Sequence, residues 1–198
     1  MTMPQLIYVH GFNSSELSYK SQQVLERLRS LGFAEQFACP RLPWQPSKAI
    51  QCLETMIDTH RSSGQDVVLV GSSLGGFYAA YLSAKYDLKA VLVNPAVQAP
   101  TLLQDYLGKQ VNPYTQDEYV LTTEHINELE ALAHPKCQPN NLWLMLQEGD
   151  EVLDYRAALQ CYPTVARRIC EPNGDHSFVG FERYLDELLS FAGFSLNN

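Results

Sequence analysis

The segment Asp66-Val67-Val68-Leu69-Val70-Gly71-Ser72-Ser73-Leu74-Gly75 limits the possible folds more than any other stretch. Its aliphatic run shows no polar alternation, so a strand here must be covered on both faces, as in a parallel sheet. The run ends in Gly71-x-Ser73-x-Gly75, and Leu74 to Tyr86 then reads as a helix. A strand passing through so short a turn into a helix leaves the middle serine on a strained corner. Its hydroxyl stands above the sheet, and side chains at the flanking glycines would collide with neighbouring backbone. The helix start adds amide donors and a partial positive charge at the same place.

Other apolar runs repeat the pattern. Leu6-Ile7-Tyr8-Val9 ends in His10-Gly11, Ala90-Val91-Leu92-Val93 in Asn94-Pro95, and Leu142-Trp143-Leu144-Met145-Leu146 leads to Gly149-Asp150. Shorter strands are expected at Gln36 to Cys39 and Arg167 to Cys170. Helical spacing marks Tyr19 to Leu31, a helix capped by Ser47, a helix near Tyr155 to Cys161, and a last helix from Phe181 to Phe191. Strands alternating with helices imply an α/β fold: a three-layer sandwich with a mostly parallel central sheet and helices on both faces. Residues 96–135, rich in Leu and Tyr, break the alternation and read as a small, partly helical cap-like insertion. A chain of 198 residues supports one such domain spanning 1–198.

Composition narrows the function classes. The net charge of −8 and scattered basic residues argue against a nucleic-acid partner. Cys39, Cys52, Cys137, Cys161 and Cys170 form no close pair, which argues against a metal site and for reduced, mostly buried thiols. Met1-Thr2-Met3-Pro4-Gln5 does not read as a signal peptide, and no apolar run is long enough to span a bilayer. The expectation is a cytoplasmic protein without a membrane partner. Oligomeric state is not legible.

Ligands in parallel α/β sheets sit at the carboxyl ends of the strands. A serine there needs a base to take its proton. His176, in Asn173-Gly174-Asp175-His176-Ser177-Phe178 before the final helix, has the right place in the chain order Ser, acid, His. His60 and His125 read as surface residues of helices, His134 lies in the insertion, and His10 orders the first strand loop. The acid is expected just past the Leu142–Leu146 strand, at Asp150, with Glu151 and Asp154 as close rivals; Asp175 sits too near His176 in sequence. Such an acid would hold the imidazole in one tautomer. The oxyanion formed on attack needs two amide donors, expected at Leu74 and, from the first strand loop, Phe12. Tyr106, Leu107, Tyr114 and Tyr119 could line an acyl pocket or equally pack the insertion's own core.

With these residues assembled, the chain resembles the α/β-hydrolase superfamily and, within it, the bacterial YqiA-type (UPF0227) esterases. The resemblance runs through Tyr8-Val9-His10-Gly11-Phe12-Asn13-Ser14-Ser15, Val70-Gly71-Ser72-Ser73-Leu74-Gly75-Gly76 and Val93-Asn94-Pro95-Ala96-Val97. It continues in Asn112-Pro113-Tyr114-Thr115, Gly149-Asp150-Glu151-Val152-Leu153-Asp154-Tyr155 and Asp175-His176-Ser177-Phe178. It implies hydrolysis of short-chain carboxylic esters without a cofactor, using Ser73, Asp150 and His176. A thioesterase or amidase on the same machinery, or a non-catalytic binding module of this fold, are the alternative readings.

Overall fold

The computed structural model describes residues 3–196. In chain order the elements are β1 (Gln5–Val9), α1 (Tyr19–Ser30), β2 (Phe37–Ala38), α2 (Pro46–Ser62), β3 (Val67–Ser72), α3 (Leu74–Tyr86) and β4 (Lys89–Val93). There follow α4 (Ala99–Gln104), β5 (Gly108–Val111), β6 (Glu118–Leu121), α5 (Thr123–Leu132), β7 (Leu142–Gln147), α6 (Tyr155–Cys161), β8 (Arg167–Glu171) and α7 (Leu185–Ala192). Six strands form one sheet in the order β2-β1-β3-β4-β7-β8, and every pairing is parallel.

The strict period of two along each strand divides the core. Leu6, Tyr8, Val68, Val70, Trp143 and Met145 face α1 and α7, meeting Val24, Leu28, Leu188 and Leu189. Ile7, Val9, Leu69, Leu92 and Leu144 face the opposite layer, with Leu53 and Ile57 of α2, Phe77 and Leu82 of α3, and Leu129 of α5. The continuous aliphatic runs are therefore explained: both faces of the central strands are buried. The result is a three-layer α/β sandwich. Among the described residues no helix is long and apolar enough to cross a membrane.

Several boundaries differ from the sequence expectation. Ser47 does not cap α2; the N-cap position falls at Gln45, whose side chain makes no capping bond, and Pro46 opens the helix, where its fixed φ helps and its missing N–H costs nothing. The last helix starts with a 3₁₀ turn, Phe181–Tyr184, before α7. Residues 96–135 contain α4 and α5 but also an antiparallel hairpin, β5–β6. Tyr119 and Leu121 alternate inward from the exposed Val120 on β6. The turn is held locally, by Asn112 Oδ1 accepting the N–H groups of Tyr114 (2.9 Å) and Thr115 (3.2 Å). His125 is not a plain surface residue: its ring accepts the Thr122 N–H at 3.0 Å to cap α5 and meets Trp44 edge-on at 4.7 Å.

Candidate active site

The carboxyl ends of β1, β3, β4 and β7 open on one side of the sheet, as parallel pairing requires. Ser73 stands between β3 and α3 with φ 56° and ψ −121°, a conformation L-residues adopt only under constraint. Two close approaches impose it. A Cβ on Gly75 would overlap the Val9 carbonyl oxygen, and one on Gly71 would overlap the Gly75 carbonyl oxygen. Only glycine lets β1 and the start of α3 meet this closely.

Three side chains distant in sequence converge here. His176 Nε2 lies 3.1 Å from Ser73 Oγ, and its Nδ1 lies 2.8 Å from Asp150 Oδ2. The Asp150 side chain is 2% exposed, against 24% for His176. Asp150 Oδ1 also accepts the N–H groups of Val152 (2.9 Å) and Leu153 (2.8 Å), which fixes the carboxylate plane. The rival acids are occupied elsewhere. Glu151 accepts the backbone N–H of His176 at 3.0 Å, and Asp154 caps α6 through the N–H of Arg156 at 3.0 Å. Asp175 takes the Ser177 hydroxyl at 2.5 Å.

Among the described residues neither the Phe12 nor the Leu74 amide N–H bonds to a backbone acceptor. Leu74 is the first residue of α3, where an N–H has no partner in its own helix. The loop carrying Phe12 is tied down by His10, whose Nδ1 lies 3.1 Å from Gly11 O and whose Nε2 accepts the Leu42 N–H at 3.2 Å. Burial lowers the His10 pKa and keeps the ring neutral, as that accepting nitrogen requires.

Sequence reading overlooked the scaffold beneath His176. Asn94, 2% exposed, donates from Nδ2 to the carbonyls of Asp175 and His176, both at 3.1 Å, while its Oδ1 accepts the Gln147 N–H at 3.0 Å. Gln147 Oε1 accepts the N–H groups of Asp175 (3.1 Å) and Val179 (2.8 Å). The available signal was a polar residue closing a buried strand, at β4 and again at β7. From the other layer, Lys20 Nζ donates to Ser177 O at 2.8 Å.

Burial pushes the Lys20 ammonium down to about 8 from its ordinary 10.5, against the opposing pull of Asp175 and Asp150. The folded chain thus gives up a proton that the unfolded chain keeps, so stability rises as pH climbs from about 8 to 10.5. Lys20→Met has no such proton. Urea melts at pH 7.5 and 9.5 are expected to show a smaller gain in the variant than in the native chain; equal gains would refute this account.

Around the Ser73 hydroxyl lies a cavity of about 180 Å³ walled by Phe12, Leu74, Ala96, Ala99, Leu102, Leu103, Tyr106, Val152 and His176. Tyr106 packs edge-to-face on Phe12 at 5.4 Å. Of the other expected pocket residues, Tyr119 lines a different cavity, and Leu107 and Tyr114 line neither, being 42% and 72% exposed. The hairpin turn sends Tyr114 outward.

This arrangement draws on residues from Val9 to Val179, and the likeness to known proteins runs over nearly all of the chain. The model of the family described as "Uncharacterised protein family (UPF0227)" matches residues 5–193. The chain belongs to UPF0227. A UPF0227 protein of Pectobacterium carotovorum subsp. carotovorum is 23% identical over 194 residues, covering 94% of this chain and 97% of that protein. The same architecture recurs in solved structures. Mouse alpha/beta hydrolase domain-containing protein 10 superposes with a TM-score of 0.67 at 18% identity, covering 96% of this chain and 88% of that one. Est1E from Butyrivibrio proteoclasticus, with ferulic acid bound, gives 0.68 at 14% identity, with the same coverages. This UPF0227 chain therefore has the α/β-hydrolase fold.

Proposed function

We propose that the chain is a serine hydrolase that cleaves short-chain carboxylic esters through a covalent acyl-enzyme. The hydrogen-bonded sequence Asp150–His176–Ser73, at 2.8 and 3.1 Å, carries this reading. His176 Nε2 takes the Ser73 proton as Oγ attacks the ester carbonyl, and Asp150 stabilises the imidazolium. The amides of Phe12 and Leu74 receive the negative oxygen. Collapse breaks the C–O bond, and the alcohol leaves with the proton from His176. Water then attacks the acyl-enzyme by the same route, returning the proton to Ser73. No cofactor enters the scheme. The small volume beside Ser73 favours a small ester as substrate, and the five free cysteines agree with action in the cytoplasm.

A fluorophosphonate probe is expected to label the native chain and not Ser73→Ala, and p-nitrophenyl esters are expected to turn over fastest at short acyl lengths. Labelling that persists in Ser73→Ala would overturn the assignment of the nucleophile. Matched thioesters or anilides turning over orders of magnitude faster would replace esterase by thioesterase or amidase.

A further inference from the structure

A second cavity, of about 250 Å³, lies across Phe12 and Leu74 from the first. Its walls come from the His10–Ser14 loop, Arg41–Trp44, Tyr78 of α3, and the hairpin residues Asn112, Thr115, Asp117 and Tyr119. The two cavities share Phe12 and Leu74, the residues whose amides are the proposed oxyanion donors. Gly11 of its wall presses on the serine turn, since a Cβ there would come within 3.3 Å of Ser73 Cβ.

The side-chain hydrogen-bonding groups of this second cavity are largely paired with one another. Its acceptors are mostly engaged: Asn13 Oδ1 takes the Tyr119 hydroxyl at 2.6 Å, and Asn112 Oδ1 takes two backbone N–H groups. Asp117 Oδ2 takes both Arg41 and the Thr115 hydroxyl, each at 2.7 Å. Tyr78 is 3% exposed as a residue, and no hydrogen bond among the described residues involves its hydroxyl. That hydroxyl is not sealed from solvent, so it is a donor that a ligand oxygen can take in place of water. The Arg41 charge is already compensated by Asp117, with Glu16 adding further negative potential. The cavity therefore suits a neutral acceptor oxygen rather than a carboxylate.

Stereochemistry says which part of a substrate reaches it. The leaving oxygen must face His176 Nε2, so the alcohol stays in the first cavity. The acyl chain is the part free to cross Phe12. Resting on the esterase reading above, we propose that this second cavity binds a neutral ether or hydroxyl oxygen carried by the acyl chain, with Tyr78 as the specificity-determining donor. The preferred substrates are thus esters of short oxygenated acids rather than of plain alkyl acids.

The test compares p-nitrophenyl 4-methoxybutyrate with p-nitrophenyl hexanoate, which have the same chain length and differ in one oxygen for one methylene. The native chain is expected to favour the methoxy ester in kcat/KM at least fivefold, the scale of one neutral hydrogen bond of about 1 kcal/mol. In Tyr78→Phe that ratio is expected to fall to about one. Should Tyr78→Phe fold poorly, the ratio in the native chain decides by itself whether the cavity reads the oxygen. A native ratio near one, or a ratio unchanged in Tyr78→Phe, overturns the proposal while leaving the esterase intact. Absence of both p-nitrophenyl butyrate turnover and fluorophosphonate labelling in the native chain would instead overturn the esterase reading, and this inference with it.

Discussion

Asp150→Asn is expected to lower kcat/KM for p-nitrophenyl butyrate by roughly four orders of magnitude while the chain stays folded. The carboxylate lies 2.8 Å from His176 Nδ1 and so holds the ring proton there, leaving Nε2 free to accept from Ser73. An amide at the same place can turn its NH₂ toward Nδ1. The proton then moves to Nε2, and the base is lost. The fold should tolerate the change, because an asparagine Oδ1 still accepts the N–H groups of Val152 and Leu153. Asp154→Asn and Glu151→Gln are the controls. Each keeps its acceptor, Asp154 for the cap of α6 and Glu151 for the His176 backbone, so each should change the rate only a few-fold. If Asp150→Asn kept a tenth of native activity, or Asp154→Asn lost more than it, the role of the acid would pass to another carboxylate.

Gly75→Ala is expected to be the most damaging single methyl in the chain. The added Cβ would overlap the carbonyl oxygen of Val9 and lie within 2.7 Å of that of His10. Neither can retreat easily, since Val9 pairs with Gly71 in the middle of the sheet and its side chain is fully buried. The strain falls on backbone rather than on a flexible side chain, so a loss of about 4 kcal/mol or more, or insoluble protein, is expected. Gly32→Ala makes the contrast. Nothing lies within 4 Å of its Cβ direction, and only its positive φ of 81° is at stake, a cost of roughly 1 kcal/mol. Urea melts of the two variants check the ordering; a Gly75→Ala chain as stable as Gly32→Ala would mean that β1 and α3 are not packed as described.

Much of the frame was legible before any coordinates. The aliphatic runs at Leu6–Val9, Val67–Val70, Ala90–Val93 and Leu142–Leu146 could be covered only by helices on both sides, which dictates a parallel sheet. The Gly71–Gly75 turn likewise announces a serine on a corner. The hairpin β5–β6 was not legible: four-residue strands alternating one buried with one exposed residue give too weak a signal beside the Leu- and Tyr-rich helices around them. Leu107 and Tyr114, which the sequence leaves open between an acyl pocket and the insertion's own core, are 42% and 72% exposed, and composition cannot say which way a turn points its side chains.

The sequence by itself determined which central strands are buried on both faces, that the chain turns sharply at Gly71–Gly75, and which types of reactive group are present, because these follow from local periodicity and from the steric demands of glycine. Only tertiary structure decided that Asp150 rather than Glu151 or Asp154 meets His176, that Asn94 and Gln147 carry the histidine loop, and that Tyr78 is left with an unused hydroxyl beside a second cavity. Those facts depend on distances of a few ångströms between segments up to about a hundred residues apart, such as the 3.1 Å between His176 and Ser73. Hydrogen bonds require contact, and spacing along a chain does not encode contact.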